Sequence, residues 1–584
     1  MRQHLLQVSG FKFLDSSFKF LVLVTLLLCH LVTLGQPSYW TETAFTPSPK
    51  YEVRAVWLTT IGGIDWPHTY ANSSESSVSR QKAELTAILD QLQADGINVV
   101  LLQTRIRATT IYPSALEPWD GCLSGTPGRS PGYDALQFAI DECHKRGMQL
   151  HAWVVTIPVG KWNSTGCTQL RKRYPRLIKK IGPDGFMDPE QAATGTYLAD
   201  LCEEIVRNYD VDGIHLDYIR YPETWKIKVS RQQGRRNITN IAETISRRVR
   251  SLKPWVMMSC SPIGKADDLR RYSSRGWNAR TAVCQDAQEW LRTGVMDALF
   301  PMMYFRDNHF YPFAIDWKEQ SHGKILAPGV ATYMLHRHEG NWPLTTVTQE
   351  LNVLRQLGMG HTHFRSKFLT DNTKGIQTFT RRFNHSPALV PPMTWKDDTP
   401  PAAPFGFQLS QTSQNEVQLS WETDNPSAED LLFNVYASRS WPVDVSDAAN
   451  LVRTRLQHPC AVVSTRHPKP SQVYYAVTAV DRFGNESQPL QSYAPAEGGF
   501  NINALLRHPA LLPCNGSQLQ LPEKPATLDA DMLIVQTLQG RAIMTIPYKG
   551  TTANVSRLPE GVYQLRSLNR RGITHRLGFF AIRR

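Results

Sequence analysis

The segment VDGIHLDYIRYPET, residues 211–224, places charged side chains directly after an apolar run. Asp217, Arg220 and Glu223 all fall within seven consecutive residues, 217–223. Two carboxyl groups can hydrolyse a bond when one protonates the leaving group and the other acts as a nucleophile or activates water. The segment therefore predicts an acid–base site with Asp217 as its central carboxylate.

Similar residues follow other apolar runs. Asp65 follows the first run in IGGIDWP, and Glu117 follows the second in IYPSALEPWDG. We expect Glu117 to be the catalytic partner of Asp217, with Asp65 and Glu223 in reserve. Aromatic rings stack on the apolar faces of sugars while charged groups bind hydroxyls, so side chains of these types predict sugar subsites. The residues expected to line those subsites are Trp57, Arg105, Trp153, Tyr218, Arg220, Tyr304 and Arg365.

Each candidate also has a structural interpretation. An aspartate at a strand end often caps a helix or pairs with an arginine, and Arg220 is available to Asp217. Glu117 could bond loop amides, Glu223 could be solvated, and the tryptophans of the first and third runs could pack inside the fold. The sequence leaves these alternatives open.

Two histidine patterns could bind a metal ion. His215 with Asp217, and His361 with His363, would each share one face of a strand. Barrel metal hydrolases normally carry such a pair on the first strand, where this chain has no histidine. We therefore predict no catalytic metal and no cofactor.

The elements that would position these residues alternate between strands and helices. Helical patterns such as 79–96 and 134–147 separate eight apolar runs. This order over residues 50–385 predicts an α/β fold, a (β/α)8 TIM barrel, whose active site lies at the carboxyl ends of its strands. An open doubly wound sheet is the alternative, but no glycine-rich turn follows the first run. The runs are 53–60, 98–105, 149–155, 213–219, 255–262, 296–304, 324–331 and 361–366.

The chain changes character after the barrel. Residues 386–404 are proline-rich and without periodicity, which predicts a linker. Residues 405–495 alternate polar and apolar residues and resemble a fibronectin type III domain in Trp421, Tyr436 and YYAVTAVDRFGNES. Residues 525–584 predict a small β domain, and their LPEGVYQLR is similar to accessory or sorting modules of secreted bacterial proteins.

The amino terminus predicts export. Residues 1–35 combine basic positions with a short apolar run, which is the pattern of a signal peptide. The protein would then be secreted, periplasmic or on the cell surface, in a compartment that permits disulfides. Of the eight cysteines that follow, none forms a C-x-x-C pair; a Cys122–Cys167 bridge fits their loop positions, and buried thiols are expected for most of the others.

The net charge of +13 is spread along the 584 residues without a long basic run or a nucleic-acid motif. This distribution favours a generally basic surface, with a preference for anionic wall polymers as the alternative, and indicates no nucleic-acid partner. We expect a polysaccharide partner from the candidate sugar subsites, and membrane contact only through the signal segment. No protein partner can be inferred.

Several motifs occur together in the order of a known family. They are VRAVWLTTIGGIDWP, IYPSALEPWDG, SPGYDALQFAIDECHKRGMQLHAW, VDGIHLDYIRYP, CQDAQEWLRTGVMDALFPMMYF and HFRSKFLTDNTKG. In these motifs the region 50–385 resembles the family-10-like glycosyl hydrolases, which are secreted bacterial barrels. The resemblance implies a glycoside hydrolase fold, action on peptidoglycan or other surface polysaccharides, and functional positions at Asp217, Glu117 and Asp65.

The chain departs from that family at two places. Many relatives carry two adjacent acids after the fourth strand, where this chain has Asp217 and Tyr218. Many also carry Pro-Gln before the tyrosine of the sixth strand, where this chain has Met302 and Met303 before Tyr304. Both differences bear on the second carboxylate and on sugar preference.

Three functions follow from these observations. The first is a secreted glycoside hydrolase that cleaves a bacterial cell-wall or surface polysaccharide, with peptidoglycan strands suspected, by a two-carboxylate mechanism. The second is a non-catalytic glycan-binding protein that uses the barrel cleft, which would gain if no second carboxyl group lay within about 10 Å of Asp217. The third, a metal-dependent deacetylase or amidohydrolase, would require the histidines to converge with an acid at the rim.

Overall fold

The described part of the chain runs from residue 48 to residue 582. The computed structural model describes these residues except 273–275, 414–415, 425–429, 465–472, 493–511, 523, 525–529, 538–541 and 569–573. The predicted signal peptide, residues 1–35, lies outside the described residues.

The first domain is a closed parallel barrel. Its strands occur in the order β10-β9-β8-β7-β3-β2-β1-β12-β11, and β12 pairs with β1, with His361 opposite Arg54. Strands β10 and β11 are two halves of one barrel strand, because β10 pairs with β9 while β11 pairs with β12. Eight strand positions result, so the predicted (β/α)8 fold is confirmed. The bounds are β1 (Arg54–Leu58), β2 (Val99–Arg105), β3 (Gln149–Val155), β4 (Pro158–Lys161), β5 (Ile178–Ile181), β6 (Asp184–Met187), β7 (Gly213–Asp217), β8 (Met257–Cys260), β9 (Ala298–Leu299), β10 (Ile325–Leu326), β11 (Gly329–Val330) and β12 (His361–His363).

Helices cover the outside of the barrel. In the first helix Leu85, Leu89 and Leu92 are buried at the spacing of one helical face, and Ser74 caps its start by accepting from the Ser77 amide. Asp134 caps the third helix, accepting from the Gln137 amide. The bounds are α1 (Glu75–Ala94), α2 (Gly121–Ser124), α3 (Ala135–Lys145), α4 (Thr165–Arg173), α5 (Ala192–Asn208), α6 (Arg231–Leu252), α7 (Ala279–Ala282), α8 (Ala287–Arg292), α9 (Tyr311–Glu319), α10 (Leu344–Gln356), α11 (Ser366–Thr370) and α12 (Ile376–Phe383).

Two regions differ from the sequence prediction. The region between the fifth and sixth apolar runs forms two short helices, α7 and α8, where the alternation of strands and helices predicts one, and Cys284 lies between them at a left-handed φ of 58°. After β3 the chain also adds an insertion that the sequence did not predict. It contains α4 and the antiparallel sheet β4-β6-β5.

Antiparallel sheets follow the barrel, as the predicted fold class requires. A three-stranded sheet, β13-β14-β17, and a four-stranded sheet, β16-β15-β18-β19, share a core that includes Trp421 and Phe433. The fibronectin-like identity of this sandwich stays a prediction. The strands of the two sheets have the bounds β13 (Phe405–Ser413), β14 (Glu416–Glu422), β15 (Leu432–Ser438), β16 (Leu451–Leu456), β17 (Cys460–Ser464), β18 (Tyr474–Val480) and β19 (Leu490–Gln491).

A last group of strands forms its own core around Leu533, Leu565 and Phe580. Four of the strands build the sheet β22-β21-β24-β25, and β20 pairs with β23. The bounds are β20 (Gln518–Gln520), β21 (Met532–Thr537), β22 (Ala542–Pro547), β23 (Thr552–Asn554), β24 (Gly561–Leu568) and β25 (Thr574–Ile582).

The sandwich packs against the amino-terminal end of the barrel. Arg455 of β16 forms an ion pair with Asp212, which immediately precedes β7. The predicted linker 386–404 is packed in the same place: Met393 is 3% exposed within the barrel core, and its amide donates to the Phe483 carbonyl at 2.8 Å. This end of the barrel is therefore closed by protein.

The eight cysteines after residue 47 are free thiols, so the Cys122–Cys167 bridge is not formed. Both of those thiols are buried in short helices rather than in loops. Within the described ranges, none of the helices is long and apolar enough to cross a membrane.

Candidate active site

Asp217 ends β7, the fourth barrel strand, and is 6% exposed. Its Oδ1 accepts from the Tyr218 amide at 2.7 Å and from the Ser261 hydroxyl at 2.8 Å. Its Oδ2 accepts from Trp153 Nε1 at 3.1 Å. Neighbouring strands thus fix this carboxyl group from both sides, because β3 supplies Trp153 and the residue after β8 supplies Ser261.

Burial raises the pKa of the Asp217 carboxyl above its ordinary value. Arg220 and the donated hydrogen bonds from Ser261, Tyr218 and Trp153 oppose this shift without cancelling it. A carboxyl group whose pKa is raised holds its proton at a higher pH, which is the property a general acid needs.

Arg220 joins Asp217 to a second acid. Its Nη2 donates to Glu223 Oε1 at 2.8 Å, and its Nη1 lies 4.0 Å from Asp217 Oδ1. The Glu223 side chain is 44% exposed, whereas the Arg220 side chain is 3% exposed. The guanidinium lies over the Tyr218 ring, 4.2 Å from its centroid, and among the described residues its Nε and Nη1 have no hydrogen-bond partner.

The backbone at Tyr218 is left-handed, with a φ of 53°. Residues other than glycine rarely adopt this conformation, and when they do so at an active site the surrounding structure holds them there. The Tyr218 ring packs against the apolar core of the barrel on one side and lies beneath the Arg220 guanidinium.

Glu117 is held in a buried ion pair with Arg105. Its carboxylate accepts from Arg105 Nε at 2.9 and 3.0 Å and from Nη2 at 2.6 Å, and it also accepts from the Tyr197 hydroxyl at 2.8 Å. The Arg105 side chain is fully buried and also donates to the carbonyls of Val155 and Thr156. The geometry favours the structural interpretation of both predicted site residues, since neither presents a free polar group to a sugar.

Asp65 and Arg365 form a similar pair. Arg365 Nη1 donates to Asp65 Oδ1, and the amide and hydroxyl of Thr59 donate to Oδ2 at 2.9 and 2.6 Å. The Asp65 side chain is fully buried and the Arg365 side chain is 15% exposed. This pair connects the loop after β1 to the loop after β12 across the closure of the barrel, and the geometry again favours a structural role.

Trp57 lies one layer below the site. Its Nε1 donates to His215 Nε2 at 3.3 Å, so His215 carries its hydrogen on Nδ1 and donates it to Ser259 Oγ at 3.0 Å. Trp57 is 1% exposed and its ring also contacts Phe300 and Phe364. It packs inside the barrel, as the structural alternative anticipated.

Tyr304 follows the sixth barrel strand and lies within electrostatic range of Asp217. Asp217 is among the groups that, after burial, raise the pKa of its phenol well above the ordinary value. Its hydroxyl is buried and has no hydrogen-bond partner among the described residues, while its ring contacts Tyr333 and Phe364. A ligand in the site could therefore hydrogen-bond this hydroxyl without displacing a protein partner.

The histidines lie in the apolar interior. Burial lowers the pKa of His363 to about 4, and burial with a neighbouring histidine lowers that of His361 well below its ordinary value. Within the described ranges no group of three or more His, Cys, Asp or Glu side chains is placed to hold a metal ion.

The structure brings six of the predicted residues into one cluster: Asp217, Glu223, Arg220, Tyr218, Trp153 and Tyr304. Glu117 and Asp65 are paired with Arg105 and Arg365 instead, and Arg105 also donates to backbone carbonyls beside the Asp217 strand. Trp57 packs against His215. Sequence reasoning missed Ser261, although its position at the end of the fifth apolar run, two residues beyond Ser259, was a usable signal.

Comparison with known proteins finds a family model and relatives that are all described as glycosyl hydrolases or glycosyl hydrolase-like. The family model described as glycosyl hydrolase-like 10 matches residues 52–233 and 223–336, a region that includes Asp217 and Glu223. The chain is 28% identical over 480 residues to glycosyl hydrolase YngK of Bacillus subtilis (strain 168), covering 75% of this chain and 92% of that protein. It is 30% identical over 325 residues to glycosyl hydrolase DigH of Escherichia coli (strain K12), covering 49% of this chain and 74% of that protein.

Proposed function

Since this chain belongs to the glycosyl hydrolase-like 10 family and is a glycoside hydrolase, we propose that Asp217 is the general acid that protonates the leaving oxygen of a glycosidic bond. The observation that carries the proposal is the environment of its carboxyl group. Asp217 stands at the carboxyl end of a barrel strand, where barrel enzymes place their catalytic groups, and burial raises its pKa.

Glu223 is the second carboxylate in this proposal. A single guanidinium contacts Glu223 and lies 4.0 Å from Asp217, so the two carboxyl groups stand within roughly 10 Å of each other, the range of glycosidase pairs. The greater exposure of Glu223 suits a group that must meet water or the sugar ring. The alternative partners Glu117 and Asp65 are buried and already paired with Arg105 and Arg365.

The proposed substrate is a polysaccharide of the bacterial cell wall or surface, with the glycan strands of peptidoglycan first. Tyr218 and Tyr304 beside the carboxylates provide aromatic faces for a sugar ring. The predicted signal peptide, which would export the protein to the compartment that holds such polymers, supports the same substrate class.

The experiment compares wild type with Asp217→Asn on intact peptidoglycan sacculi and on glycan strands freed of peptides. New reducing ends and fragment sizes are measured by mass spectrometry. We expect cleavage by wild type and a loss of about a hundredfold or more in the variant, the scale of losing a catalytic acid. Equal cleavage by both proteins would remove Asp217 from the mechanism. Retention of both proteins on the glycan without cleavage would favour the glycan-binding function instead.

A further inference from the structure

The insertion after β3 is strongly basic. Its segment RKRYPRLIKK, residues 171–180, contains six lysines and arginines and no acid. The first three of these cations lie in the last turn of α4, where positive charge complements the helix dipole. Arg176 and Lys180 lie beyond that helix, so the dipole does not account for them.

Most of this charge has no acidic partner. Lys179 pairs with Asp188 at 3.5 Å, and Lys161 pairs with Asp184 at 2.9 Å. Arg171 is partly buried, and the four other cations are exposed; none of these four forms an ion pair with a residue that the structure describes. We call them the basic patch: Lys172, Arg173, Arg176 and Lys180.

The Trp162 ring contacts Arg171, which lies beside the patch, and Lys180, which belongs to it. The Arg171 guanidinium stacks on Trp162 at 3.9 Å from the ring centroid and donates to the Trp162 carbonyl at 2.9 Å. Lys180 approaches the same ring at 5.7 Å, and Arg173 lies over Tyr174 at 5.4 Å. Cations held on aromatic rings lose less freedom when they bind an anion, because part of their ordering has already occurred.

The insertion is continuous with the active site. It begins at Thr156, whose amide and hydroxyl both donate to the Asp217 carbonyl at 2.9 and 2.8 Å. Gly160 of β4 lies close to Arg107, since a Cβ atom built at Gly160 would be 3.4 Å from the Arg107 Cβ atom. Arg107 is exposed and acts on the Tyr218 phenol electrostatically. One polymer could therefore contact both the cleft and the insertion.

From this arrangement we propose that the basic patch is a second binding surface for an anionic polysaccharide, a glycan that carries carboxylates along its length. The proposal rests on the proposed function, since it names a property of the same substrate. The cluster of Asp217 and Glu223 takes the bond to be cleaved, and the patch holds an adjoining part of the same strand through its acidic groups.

The test measures binding in the Asp217→Asn background, so that the glycan stays intact. The probes are peptide-free peptidoglycan strands with free carboxylates, the same strands with those groups converted to methyl amides, and a wall polymer whose charge comes from phosphate. The patch variant combines Lys172→Gln, Arg173→Gln, Arg176→Gln and Lys180→Gln. A control removes the same charge from exposed positions elsewhere by combining Arg236→Gln, Arg247→Gln, Lys549→Gln and Arg557→Gln.

At low salt we expect the patch variant to bind the carboxylated strands about tenfold more weakly than its parent, on the scale of four exposed charge contacts. The amidated strands should bind both proteins equally, and the control variant should match the parent. High salt should remove the difference.

Three results would overturn the proposal: equal binding of patch variant and parent to carboxylated strands, an equal loss in the control variant, or patch-dependent binding of the phosphate polymer alone. Cleavage by the enzyme with Asp217 intact is measured separately. If it cleaves none of the strands, the proposed function fails, while the binding comparison still reports on the patch.

Discussion

Each candidate carboxylate of the site lies beside an arginine: Arg105, Arg220 or Arg365. The degree of burial distinguishes the structural pairs from the pair assigned to chemistry. The Arg105–Glu117 pair is almost completely buried, and Asp65 is fully buried beside Arg365. Breaking such a pair leaves an uncompensated charge inside the protein, so both pairs contribute to the shape of the rim. Arg220 lies 4.0 Å from Asp217 and leaves the pKa of that carboxyl raised.

The pH dependence of cleavage should respond to Ser261. Its hydroxyl donates to Asp217 and lowers the pKa of that carboxyl, so Ser261→Ala should raise the pKa further. A general acid works while protonated, so the alkaline limb of kcat/KM against pH should move to higher pH.

Ser259→Ala is the matched control for that measurement. Ser259 lies two residues earlier on the same strand face and contacts His215 instead of Asp217. Its alkaline limb should coincide with that of wild type. A limb that moves to lower pH in Ser261→Ala, or moves equally in both variants, would contradict the assignment of Asp217 as the acid.

At the scale of elements, the barrel strands were predictable because buried parallel strands are apolar on both faces. The insertion was not, because β4, β5 and β6 have only four residues each and their composition is mixed.

The site was predictable in residue type and position but not in pairing. Asp65 and Arg365 are 300 residues apart, so only closure of the barrel brings them together. The contact between Arg220 and Glu223 could have been predicted from the sequence, because the two residues are only three positions apart.

The segment 386–404 contributes to barrel stability rather than acting as a free spacer. Met393→Ala should destabilise the protein by about 2–4 kcal/mol, because it leaves a cavity beside core residues of the barrel. Chemical denaturation measures the change. Thr394→Ala, at the exposed neighbouring position, should change stability by less than about 0.5 kcal/mol. Equal small effects of both substitutions would show that the segment is not packed in solution.

At the scale of the whole molecule, the two ends of the barrel differ. The acid chemistry that we propose lies at the carboxyl ends of the strands, and the sandwich covers the amino ends. At the covered end, burial acts to raise the pKa of Asp212, but Arg455 and His144 override it and hold that pKa well below its usual range. Asp212 therefore stabilises the folded state as a carboxylate.

This contact should couple stability to pH. A depressed pKa in the folded state gives stability that is present above the unfolded value of about 3.9 and is lost as pH falls. Arg455→Gln should cost about 3 kcal/mol of unfolding free energy at pH 7, and the deficit should shrink as pH falls below about 4. Denaturant unfolding at several pH values measures both effects.

Arg271→Gln removes an exposed ion pair with Glu319 and serves as the control for Arg455→Gln. It should cost less than about 1 kcal/mol at neutral pH. A deficit in Arg455→Gln that grows toward acid pH would contradict the role given to Asp212.

The account of the site depends on dividing the carboxylates between chemistry and structure. The measurement that tests it most directly is the cleavage rate of glycan strands per folded molecule, compared between Asp217→Asn and Glu117→Gln. We expect Asp217→Asn to remain folded and to lose about a hundredfold or more of its rate. Glu117→Gln should unfold at lower denaturant concentration, because it leaves Arg105 buried without its partner, while its folded fraction keeps most of the rate. The opposite pattern, with Asp217→Asn active and folded Glu117→Gln inactive, would contradict the assignment of Asp217 and return Glu117 to the reaction.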